Sequence, residues 1–428
     1  MTMVNDTPGT QRHASSRRVV ITGVGALTSL GKSADAVWHA CLAGCSGIST
    51  ITGFDTSAFP TRFAAQIREW EPAPFFTSRK EARRVDRFAQ FAVAAARMAV
   101  NDAGFEITDA NRDRVGVYIG SGIGGLETIE EQHRALLAKG PGRVSPFLIP
   151  GIICDMGAGL VSIELGARGP NSCITTACAT GANNIGDAYH VILRGDADAM
   201  LAGGAEASIT PLAMAGFCAA RTLSQRNDAP EHASRPFDRD RDGFVMGEGA
   251  GVVVLETLES AQARGATAYA EVVGYGMAGD AYHITSPPTD GHGAIRAMRS
   301  ALASAGLAPT SVDYINAHGT STELNDKTET AAIKAVLGDH AYEIPVSSTK
   351  SMTSHLVGAA GAVEAILCAL TIRHGIVLPT TNYEHADPNC DLDYVPNQAR
   401  KVDVNIAMSN SFGFGGHNAT LILRKLTP

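Results

Sequence analysis

Short apolar runs rich in Val and Ile recur along the chain, with helical stretches between them, and they occur in one order twice. Runs this short and this apolar are typical of strands that are buried on both faces of a sheet. The pattern therefore predicts two α/β halves, each with a five-stranded, mixed or parallel sheet. The runs cover residues 17–28, 114–125, 172–178, 197–206 and 249–256, and then 270–279, 312–320, 344–350, 405–416 and 419–424.

The third run of each half leads into a helix whose first turns carry small residues. A Gly-Ala pair begins three residues after Cys178 and again three residues after His355. Because small residues let two helices approach closely, we expect these helices to pack at a pseudo-twofold centre, with Cys178 and His355 meeting where the halves join. The boundary is expected within 258–267, which gives an N-terminal half of 18–262 and a C-terminal half of 263–428.

The composition indicates a large folded protein rather than a nucleic-acid-binding or membrane protein. The chain has 428 residues, of which 45% are hydrophobic and 18% charged, so a sizeable core is expected. Its net charge of −8 argues against general nucleic-acid binding. No apolar run reaches the roughly 18 residues of a membrane helix. Residues 1–17 are polar and lack the apolar centre of a signal peptide, so they predict a flexible tail on a cytoplasmic protein.

One of the eight cysteines has a sequence context that suits a catalytic nucleophile. None of the eight forms a CxxC pair or a Cys/His cluster at zinc spacing, so no metal site is expected. In a reducing cytosol most of them should be buried, inert thiols. Cys178, in TTACATGAN, stands at the first turn of a predicted helix, where the helix dipole should lower the thiol pKa below its free value of about 8.5. Cys178 is therefore the candidate nucleophile.

Three further runs place polar side chains at strand ends, where open α/β sheets bind ligands. NAHGTSTELND (316–326) carries His318. SSTKSMTSHLVGAAG (347–361) carries Lys350 and His355 on one strand-to-helix turn, and NSFGFGGHN (410–418) is a glycine-rich loop with Phe414. Two histidines beside Gly/Thr turns at strand ends favour a functional site over ordinary core positions.

Together these runs resemble the β-ketoacyl-acyl carrier protein synthases, specifically the Cys-His-His elongation type (synthase II-like). The resemblance extends from about Arg17 to the end, through TTACATGA, GGAEASITP, NAHGTST, SSTKSMTSH and NSFGFGG in that order. It implies the thiolase fold, an α/β body of two duplicated halves in αβαβα layers, and a homodimer. It also implies that no cofactor is bound and that the substrates arrive on the phosphopantetheine of an acyl carrier protein.

The resemblance assigns a role to each candidate residue. Cys178 takes the acyl chain, and the backbone N–H groups of Cys178 and Phe414 form the oxyanion hole. His318 and His355, as neutral donors, stabilise the enolate that forms when malonyl-carrier protein loses carbon dioxide. The enolate then attacks the Cys178 thioester in a Claisen condensation that lengthens the chain by two carbons in fatty acid biosynthesis.

Supporting residues follow from the same resemblance. Lys350 and Glu329 are expected to form an ion pair that holds the histidine turn, either as a purely structural pair or with a catalytic contribution. Phe414 matches the aromatic gate beside the nucleophile, in a loop whose glycines give it freedom. Ile123 and Phe217 match positions that shape the acyl pocket; Thr285, Thr320 and Thr322 are expected to contact the phosphopantetheine arm.

A basic segment suggests where an acidic carrier protein binds. SRKEARRVDR (78–87) spaces its basic residues four apart, so it predicts one basic helix face, which could equally be an ordinary solvated face. The carrier-protein contacts implied here are Lys80, Arg83 and Arg84, with Arg143 and Arg221 at other matching positions.

One departure from the family pattern concerns Ser354, which precedes His355 where glycine is common. If that position needs a positive φ, serine strains the turn. If it does not, the serine hydroxyl is free to bond nearby backbone.

Several other functions were weighed against the condensing enzyme. A stand-alone polyketide ketosynthase would use the same residues on another substrate, and no further domain is expected after Pro428. A non-catalytic chain-length partner subunit should lack the nucleophile that Cys178 supplies. A cysteine hydrolase would need an Asn or Asp to orient its histidine. A thiolase proper would need a second catalytic cysteine, which NSFGFGGHN does not contain.

Overall fold

The structure, a computed structural model, describes residues 17–426, so the predicted tail lies outside the described residues except for Arg17. The strands are β1 Val19–Leu27, β2 Ser49–Thr50, β3 Phe63–Ala64, β4 Val115–Gly120, β5 Asn171–Ser172, β6 Ala199–Glu206, β7 Gly249–Thr257, β8 Ala270–Gly279, β9 Tyr314–Asn316, β10 Val346–Ser347, β11 Ile376–Val377, β12 Arg400–Lys401, β13 Ile406–Gly413 and β14 His417–Arg424. The helices are α1 Ala34–Leu42, α2 Arg79–Ala82, α3 Arg87–Ala103, α4 Leu126–Lys139, α5 Leu148–Ile152, α6 Met156–Leu165, α7 Thr180–Arg194, α8 Pro211–Ala219, α9 Leu258–Ala263, α10 His292–Ala305, α11 Glu323–Leu337, α12 Lys350–Thr353 and α13 Ala360–His374.

Ten of these strands form one continuous sheet in which the two halves mirror each other. Its order is β10-β9-β13-β14-β8-β1-β7-β6-β4-β5, so each half contributes five neighbouring strands. The halves join through a short antiparallel contact between β1 and β8. The outer strands of each half run parallel and the inner ones antiparallel, as a mixed sheet requires. All ten predicted strands are present, although β5 and β10 are only two residues long.

The helices form three layers around the two halves of the sheet. α7 and α13 pack against each other and against strands of both halves, in the middle of the molecule. α3 and α6 cover the outer face of the first half, and α10 covers that of the second, with α11 packed on it. Three separate clusters of buried apolar residues fill the spaces between these layers. This is the αβαβα arrangement expected from the sequence.

The central helix pair shows how the two halves correspond. A single 3-10 turn, Ala177–Ala179, leads into α7, and Val357–Ala359 leads into α13, which has the same length of 15 residues. A methyl group at Gly181 would lie 2.7 Å from the backbone nitrogen of Ala362, and one at Gly361 would lie 2.9 Å from that of Ala182. The close packing of the two helices is therefore confirmed.

The sequence analysis matched the Gly-Ala pair after Cys178 with the Gly-Ala pair after His355. This match between the two helices was wrong by three residues. Cys178 is the middle residue of its 3-10 turn, and the middle residue of the other turn is Gly358. His355 lies before that turn, so it is not the counterpart of Cys178. The Gly-Ala pairs that the sequence aligned stand at different points of the two helices.

One helical stretch contradicts the expectation that no segment is long enough to cross a membrane. Residues 357–374 are long and apolar enough by composition, with a mean hydropathy of 1.3. In the fold 89% of this stretch is buried, because it contains α13 between the two halves of the sheet. It is the core helix of the molecule.

Candidate active site

A cavity of about 650 Å³ opens between the two halves, where the 3-10 turn before α7 meets the loop after β13. Its wall includes residues from both halves that were named in the sequence, some from their local pattern and the rest from the family resemblance. These are Ile123, Cys178, Phe217, Arg221, Thr285, His318, Thr320, Thr322, Glu329, His355 and Phe414. The structure thus brings the candidate nucleophile, both histidines and the expected substrate contacts to one place.

The nucleophile turn is held in an unusual backbone conformation. Ala177, immediately before Cys178, has a φ of +49°, which costs free energy for a residue with a side chain. The backbone N–H of Thr176 donates to the hydroxyl of Thr180 (2.9 Å), which fixes the entry to α7. A methyl group at Gly413 would lie 2.6 Å from the carbonyl oxygen of Thr176 and 3.1 Å from the nitrogen of Cys178. Only glycine therefore lets the loop after β13 reach this turn.

Burial dominates the chemistry of the resting thiol. It raises the pKa of the Cys178 thiol to about 12, although the charge of Lys350 and the backbone N–H groups of Phe414 and Cys178 lower it in part. The prediction of a pKa below the free value is therefore wrong for this structure, because burial of the thiol outweighs the groups that lower its pKa. The thiol is protonated at rest. The same two N–H groups reach its sulfur, next to the position where the oxyanion of an attacked thioester would form.

The two histidines are held by their backbones, and no residue in the described part of the chain forms a hydrogen bond to either ring. His318 follows β9, and its N–H and that of Gly319 donate to the two oxygens of Glu329 at 2.8 Å each. The N–H of His355 donates to the carbonyl of Val245 (2.8 Å), in the first half of the chain. The imidazole rings lie 5.4 Å apart, nearly perpendicular to each other.

Both imidazoles are neutral at physiological pH. Burial, and then the charge of Lys350, hold the pKa of His318 and of His355 well below the ordinary value of 6.5. A neutral imidazole presents one N–H donor and one acceptor nitrogen. The pair can therefore donate hydrogen bonds to a developing enolate without carrying charge of their own, as the family resemblance requires.

The expected ion pair between Lys350 and Glu329 is wrong. The ammonium of Lys350 pairs with Glu364, on the second turn of α13, and both side chains are almost completely buried. Glu329 instead accepts the two backbone N–H groups of the His318 turn and an amide proton of Asn410 (3.3 Å). Glu329 thus supports the histidine loop, as expected, but by accepting hydrogen bonds from its backbone.

Ser354 occupies a backbone conformation that glycine favours. Its φ is +65° and its ψ is −175°, and the residue is fully buried. Its hydroxyl is also buried and has no hydrogen-bond partner among the described residues. Of the two outcomes left open by the sequence, the strained turn is the one observed.

The remaining cavity walls divide into an apolar end and a polar end. Phe217 packs edge-on against Phe244 (5.5 Å between ring centroids), and Phe244 packs in the same way against the ring of His355 (5.3 Å). At the polar end the hydroxyls of Thr320 and Thr322 bond each other at 2.9 Å. Thr285 and Arg221 are exposed at the rim, and Phe414 is half-buried beside the nucleophile.

The basic segment is not one helix, contrary to the sequence prediction. α2 ends at Ala82 and α3 begins at Arg87, whose guanidinium is bound to Glu248 (2.7 Å) and is therefore not offered to a partner. Arg84 pairs with Glu81 at 3.1 Å and lies over the ring of Phe147. The exposed basic residues of this segment are Arg79, Lys80, Arg83 and Arg84, and Arg143 is exposed in the 3-10 turn Pro141–Arg143.

A group of potential metal-binding side chains lies outside the cavity wall. The ligand atoms of Asp238, Asp240 and His385 come within 4.8 Å of one another. Asp238, however, accepts hydrogen bonds from the Arg235 guanidinium and from three backbone N–H groups, so its carboxylate is already engaged. The group therefore acts as a structural network joining this loop to residues 384–385.

Comparison with known sequences decides the family. The sequence model described as "Beta-ketoacyl synthase, N-terminal domain" matches residues 16–261, and the one described as "Beta-ketoacyl synthase, C-terminal domain" matches residues 269–384. The chain belongs to the beta-ketoacyl synthase family. The first match ends within α9 and the second begins just before β8.

Individual relatives of this beta-ketoacyl synthase are similar over nearly their whole length. A protein of Synechocystis sp. named "3-oxoacyl-[acyl-carrier-protein] synthase 2" is 56% identical over 96% of this chain and 98% of its own. A protein of the same name from Coxiella burnetii is 54% identical over 96% of this chain and 99% of its own. A solved type II polyketide ketosynthase, titled as a complex with its acyl-carrier protein, is 36% identical, with a TM-score of 0.89 over 96% of this chain and all of its own.

Two buried carboxylates of this synthase bond to residues close to the cavity without lining it themselves, and the sequence analysis gave them no role. Glu364 is the one charged residue in the apolar stretch AGAVEAILCALTI, and Glu206 ends a strand that is otherwise apolar. A lone carboxylate in a segment predicted to be buried must find donors or a cation. A single carboxylate within an apolar segment was therefore the sequence signal that could have identified both residues.

Proposed function

We propose that this synthase carries out a decarboxylative Claisen condensation between an acyl chain on Cys178 and malonyl-acyl carrier protein. The observation that supports this best is the convergence in one cavity of a thiol, two neutral imidazoles and backbone N–H groups aimed at the sulfur. The product is a 3-oxoacyl chain two carbons longer. The assignment of Cys178, His318 and His355 to these roles is part of the proposal.

In the first half-reaction the Cys178 sulfur attacks the thioester carbonyl of an acyl-carrier protein. The tetrahedral oxyanion is held by the N–H groups of Cys178 and Phe414. The thiol proton passes to a neutral imidazole in the same cavity as the carbon–sulfur bond forms. Collapse of the intermediate breaks the bond to the phosphopantetheine sulfur, which takes that proton and leaves as a thiol.

In the second half-reaction the malonyl thioester loses carbon dioxide, and the electron pair of the broken carbon–carbon bond becomes an enolate. Neutral His318 and His355 donate hydrogen bonds to the enolate oxygen. The enolate carbon attacks the Cys178 thioester, and the oxyanion hole acts a second time. Collapse of this intermediate breaks the bond between the acyl carbon and the Cys178 sulfur, which leaves as a thiolate and takes a proton from water. Lys350 contributes positive charge behind both rings, while Thr285, Thr320 and Thr322 contact the phosphopantetheine arm.

The cavity walls and the relatives favour fatty-acid elongation over polyketide synthesis. Ile123 and Phe217 form an apolar end suited to a hydrocarbon chain. The relatives at 54–56% identity are named 3-oxoacyl-acyl carrier protein synthases, whereas the solved polyketide ketosynthase is 36% identical. The presence of Cys178 disfavours a non-catalytic chain-length subunit.

A second copy of the chain is the partner that best explains one exposed face. α4 has no buried residue, and Leu137 on it is 74% exposed. Ile149 on the adjoining α5 and Ile163 on α6 are also exposed, and β5 at the edge of the sheet pairs only with β4. An apolar face beside an open strand edge is suited to a twofold interface, so we propose a cytoplasmic homodimer.

The test is to incubate the protein with acyl-carrier proteins of graded chain length and to measure intact mass, with Cys178→Ala as the control. A mass increase equal to the acyl group, absent from the control, is expected. The length profile separates fatty acyl chains from polyketide intermediates. Folded protein that accepts no acyl group from any carrier protein would contradict the proposed function.

A further inference from the structure

Glu206 is a completely buried carboxylate that the condensation just described does not use. It ends β6, and no Lys, Arg or His among the described residues pairs with it. Its oxygens instead accept four hydrogen bonds. Oε1 accepts from the hydroxyls of Ser121 (3.0 Å) and Ser208 (2.8 Å), and Oε2 accepts from the N–H groups of Gly122 (2.9 Å) and Gly358 (3.1 Å). Removing such an acceptor would leave buried donors unpaired.

The two halves of the molecule explain why a carboxylate stands at this point. Glu206 ends β6 as Gly413 ends β13, and Gly358 corresponds to Cys178. At the nucleophile turn the corresponding residue is Gly413, which approaches the N–H of Cys178 closely but has no side chain to accept from it. At the corresponding turn of the other half, the N–H of Gly358 is occupied by Glu206. The carboxylate thus fills the counterpart of the oxyanion hole.

Glu206 also joins two segments that line the cavity from opposite halves. Gly122 and Ser121 belong to the loop that carries Ile123, and the Ser121 hydroxyl in turn accepts the N–H of Gly124 (2.9 Å). Gly358 belongs to the turn that follows His355. The two segments are in close contact, because a methyl group at Gly122 would lie 2.9 Å from the side chain of Val357. A single carboxylate therefore sets the spacing between the loop of Ile123 and the turn of His355.

We infer that Glu206 is a positioning residue that fixes the Ile123 wall of the acyl pocket against the His355–Gly358 turn, and so sets which acyl chains Cys178 accepts. The inference rests on the proposed function, because it takes the cavity to be the acyl pocket. Glu206 itself does not line the cavity. Its effect must therefore pass through the loop and the turn that it holds.

Three substitutions separate the geometric role from the charge. Glu206→Gln keeps an oxygen for the two backbone N–H groups, and its amide can donate to the two serine hydroxyls, which are free to turn and accept. Glu206→Asp keeps the charge but is one methylene shorter, so it cannot reach both segments at once. Glu206→Ala leaves the two N–H groups unpaired. Glu256→Asp, at a buried carboxylate of β7 that does not line the cavity, is the matched control.

The experiment measures the rate of Cys178 acylation across acyl-carrier proteins of graded length, together with malonyl decarboxylation and the melting temperature. For Glu206→Asp we expect the acylation rates of different chain lengths to change relative to one another by about tenfold or more, equivalent to roughly 1.4 kcal/mol of altered positioning. For Glu206→Gln we expect the wild-type profile. A merely structural role would lower all rates together, as expected for Glu256→Asp.

Each outcome bears on one proposal only. If Glu206→Asp and Glu206→Ala are folded and keep the wild-type length profile, the positioning role is wrong. If Glu206→Gln alters the profile as much as Glu206→Asp, the hydrogen-bond geometry alone does not account for the effect, and the inference that Glu206 acts by geometry is wrong. If Glu206→Ala does not fold, the comparison of the Asp and Gln variants still tests whether Glu206 acts by positioning. Failure of the wild-type protein to be acylated would instead contradict the proposed function.

Discussion

Gly358 stands in the second half of the molecule where Cys178 stands in the first, in the middle of the 3-10 turn that precedes a 15-residue helix. The two helix termini have the same backbone but not the same surroundings. Gly413 has no side chain that could accept from the N–H of Cys178, whereas the carboxylate of Glu206 accepts from the N–H of Gly358. A duplicated body therefore offers two similar helix termini, and the side chains around them leave only one open to a substrate.

Replacement of Gly413 by alanine should impair acylation without unfolding the protein. The added methyl group would meet the carbonyl of Thr176 at 2.6 Å and the nitrogen of Cys178 at 3.1 Å, and so would push the Phe414 N–H away from the oxyanion. Loss of one such donor typically costs about 100-fold or more in kcat. Single-turnover acylation, with circular dichroism for the fold, measures this. Gly279→Ala, where no atom lies within 4 Å of the new methyl group, should be silent; equal rates for both variants would contradict the geometry.

Ser354→Gly should stabilise the protein. Glycine adopts the φ of +65° and ψ of −175° without strain, and the change also removes a buried hydroxyl that has no partner. Together these effects should raise the free energy of unfolding by roughly 1–2 kcal/mol. Denaturant titration measures the change. Ser300→Gly, at an exposed position within α10, is the control and should lose stability, since its backbone is helical. A destabilised Ser354→Gly variant would show that the serine has a role that this structure does not reveal.

The acid limb of the pH–rate profile for malonyl decarboxylation should depend on the charge at Lys350. Burial and then Lys350 depress the pKa of His318 and His355, so wild-type activity should persist well below pH 6.5. The same depression makes the free energy of unfolding depend on pH. The full stability is present above the pKa that these imidazoles have in the unfolded chain, and it is lost as the pH falls toward their pKa in the folded protein. Lys350→Met should move the acid limb upward by roughly one unit, because the charge that lowers the pKa of both imidazoles is removed while their burial remains.

The Lys350→Met variant should remain folded because its partner can become neutral. The pKa of Glu364 is raised to about 7 by burial even with Lys350 beside it, so without Lys350 this carboxyl should be protonated at neutral pH. Lys350→Arg keeps the charge and serves as the control, with the acid limb expected where the wild type has it. An acid limb that does not move in Lys350→Met would mean that Lys350 does not act on the imidazoles.

The sequence predicted most of what depends on local pattern. The order of the ten strands, the close helix pair and the gathering of Cys178, His318 and His355 follow from apolar runs and from residues at strand ends, which the topology brings to one cavity. What the sequence did not predict depends on distant neighbours. The partner of Lys350 is Glu364 on another element, and the raised pKa of Cys178 comes from burial by residues far along the chain.

The break in the basic segment has a similar origin. Its spacing of basic residues fits one helix, but Arg87 turns inward to pair with Glu248, and Asp86 instead caps α3 by accepting the N–H of Phe88 (3.2 Å). A capping carboxylate and a buried ion pair overrode the helical pattern of the isolated segment. Asp86 is a helix-start signal that is present in the sequence, but the prediction relied on the spacing of the basic residues instead.

Charge reversal at Lys80 and Arg83 should weaken binding of carrier-bound substrates. Both are exposed and form no ion pair within the described residues, whereas Arg84 is engaged by Glu81 and Arg87 by Glu248. Removing attraction between this segment and an acidic carrier protein should raise KM for acyl-carrier protein by roughly tenfold at low salt, and less at high salt. KM for a small acyl thioester should stay at the wild-type value, since no side chain of the cavity changes. Lys401→Glu, an exposed charge reversal on β12, is the control. If carrier-bound and small substrates are affected equally, or if the effect does not fall with salt, carrier protein does not bind at this segment.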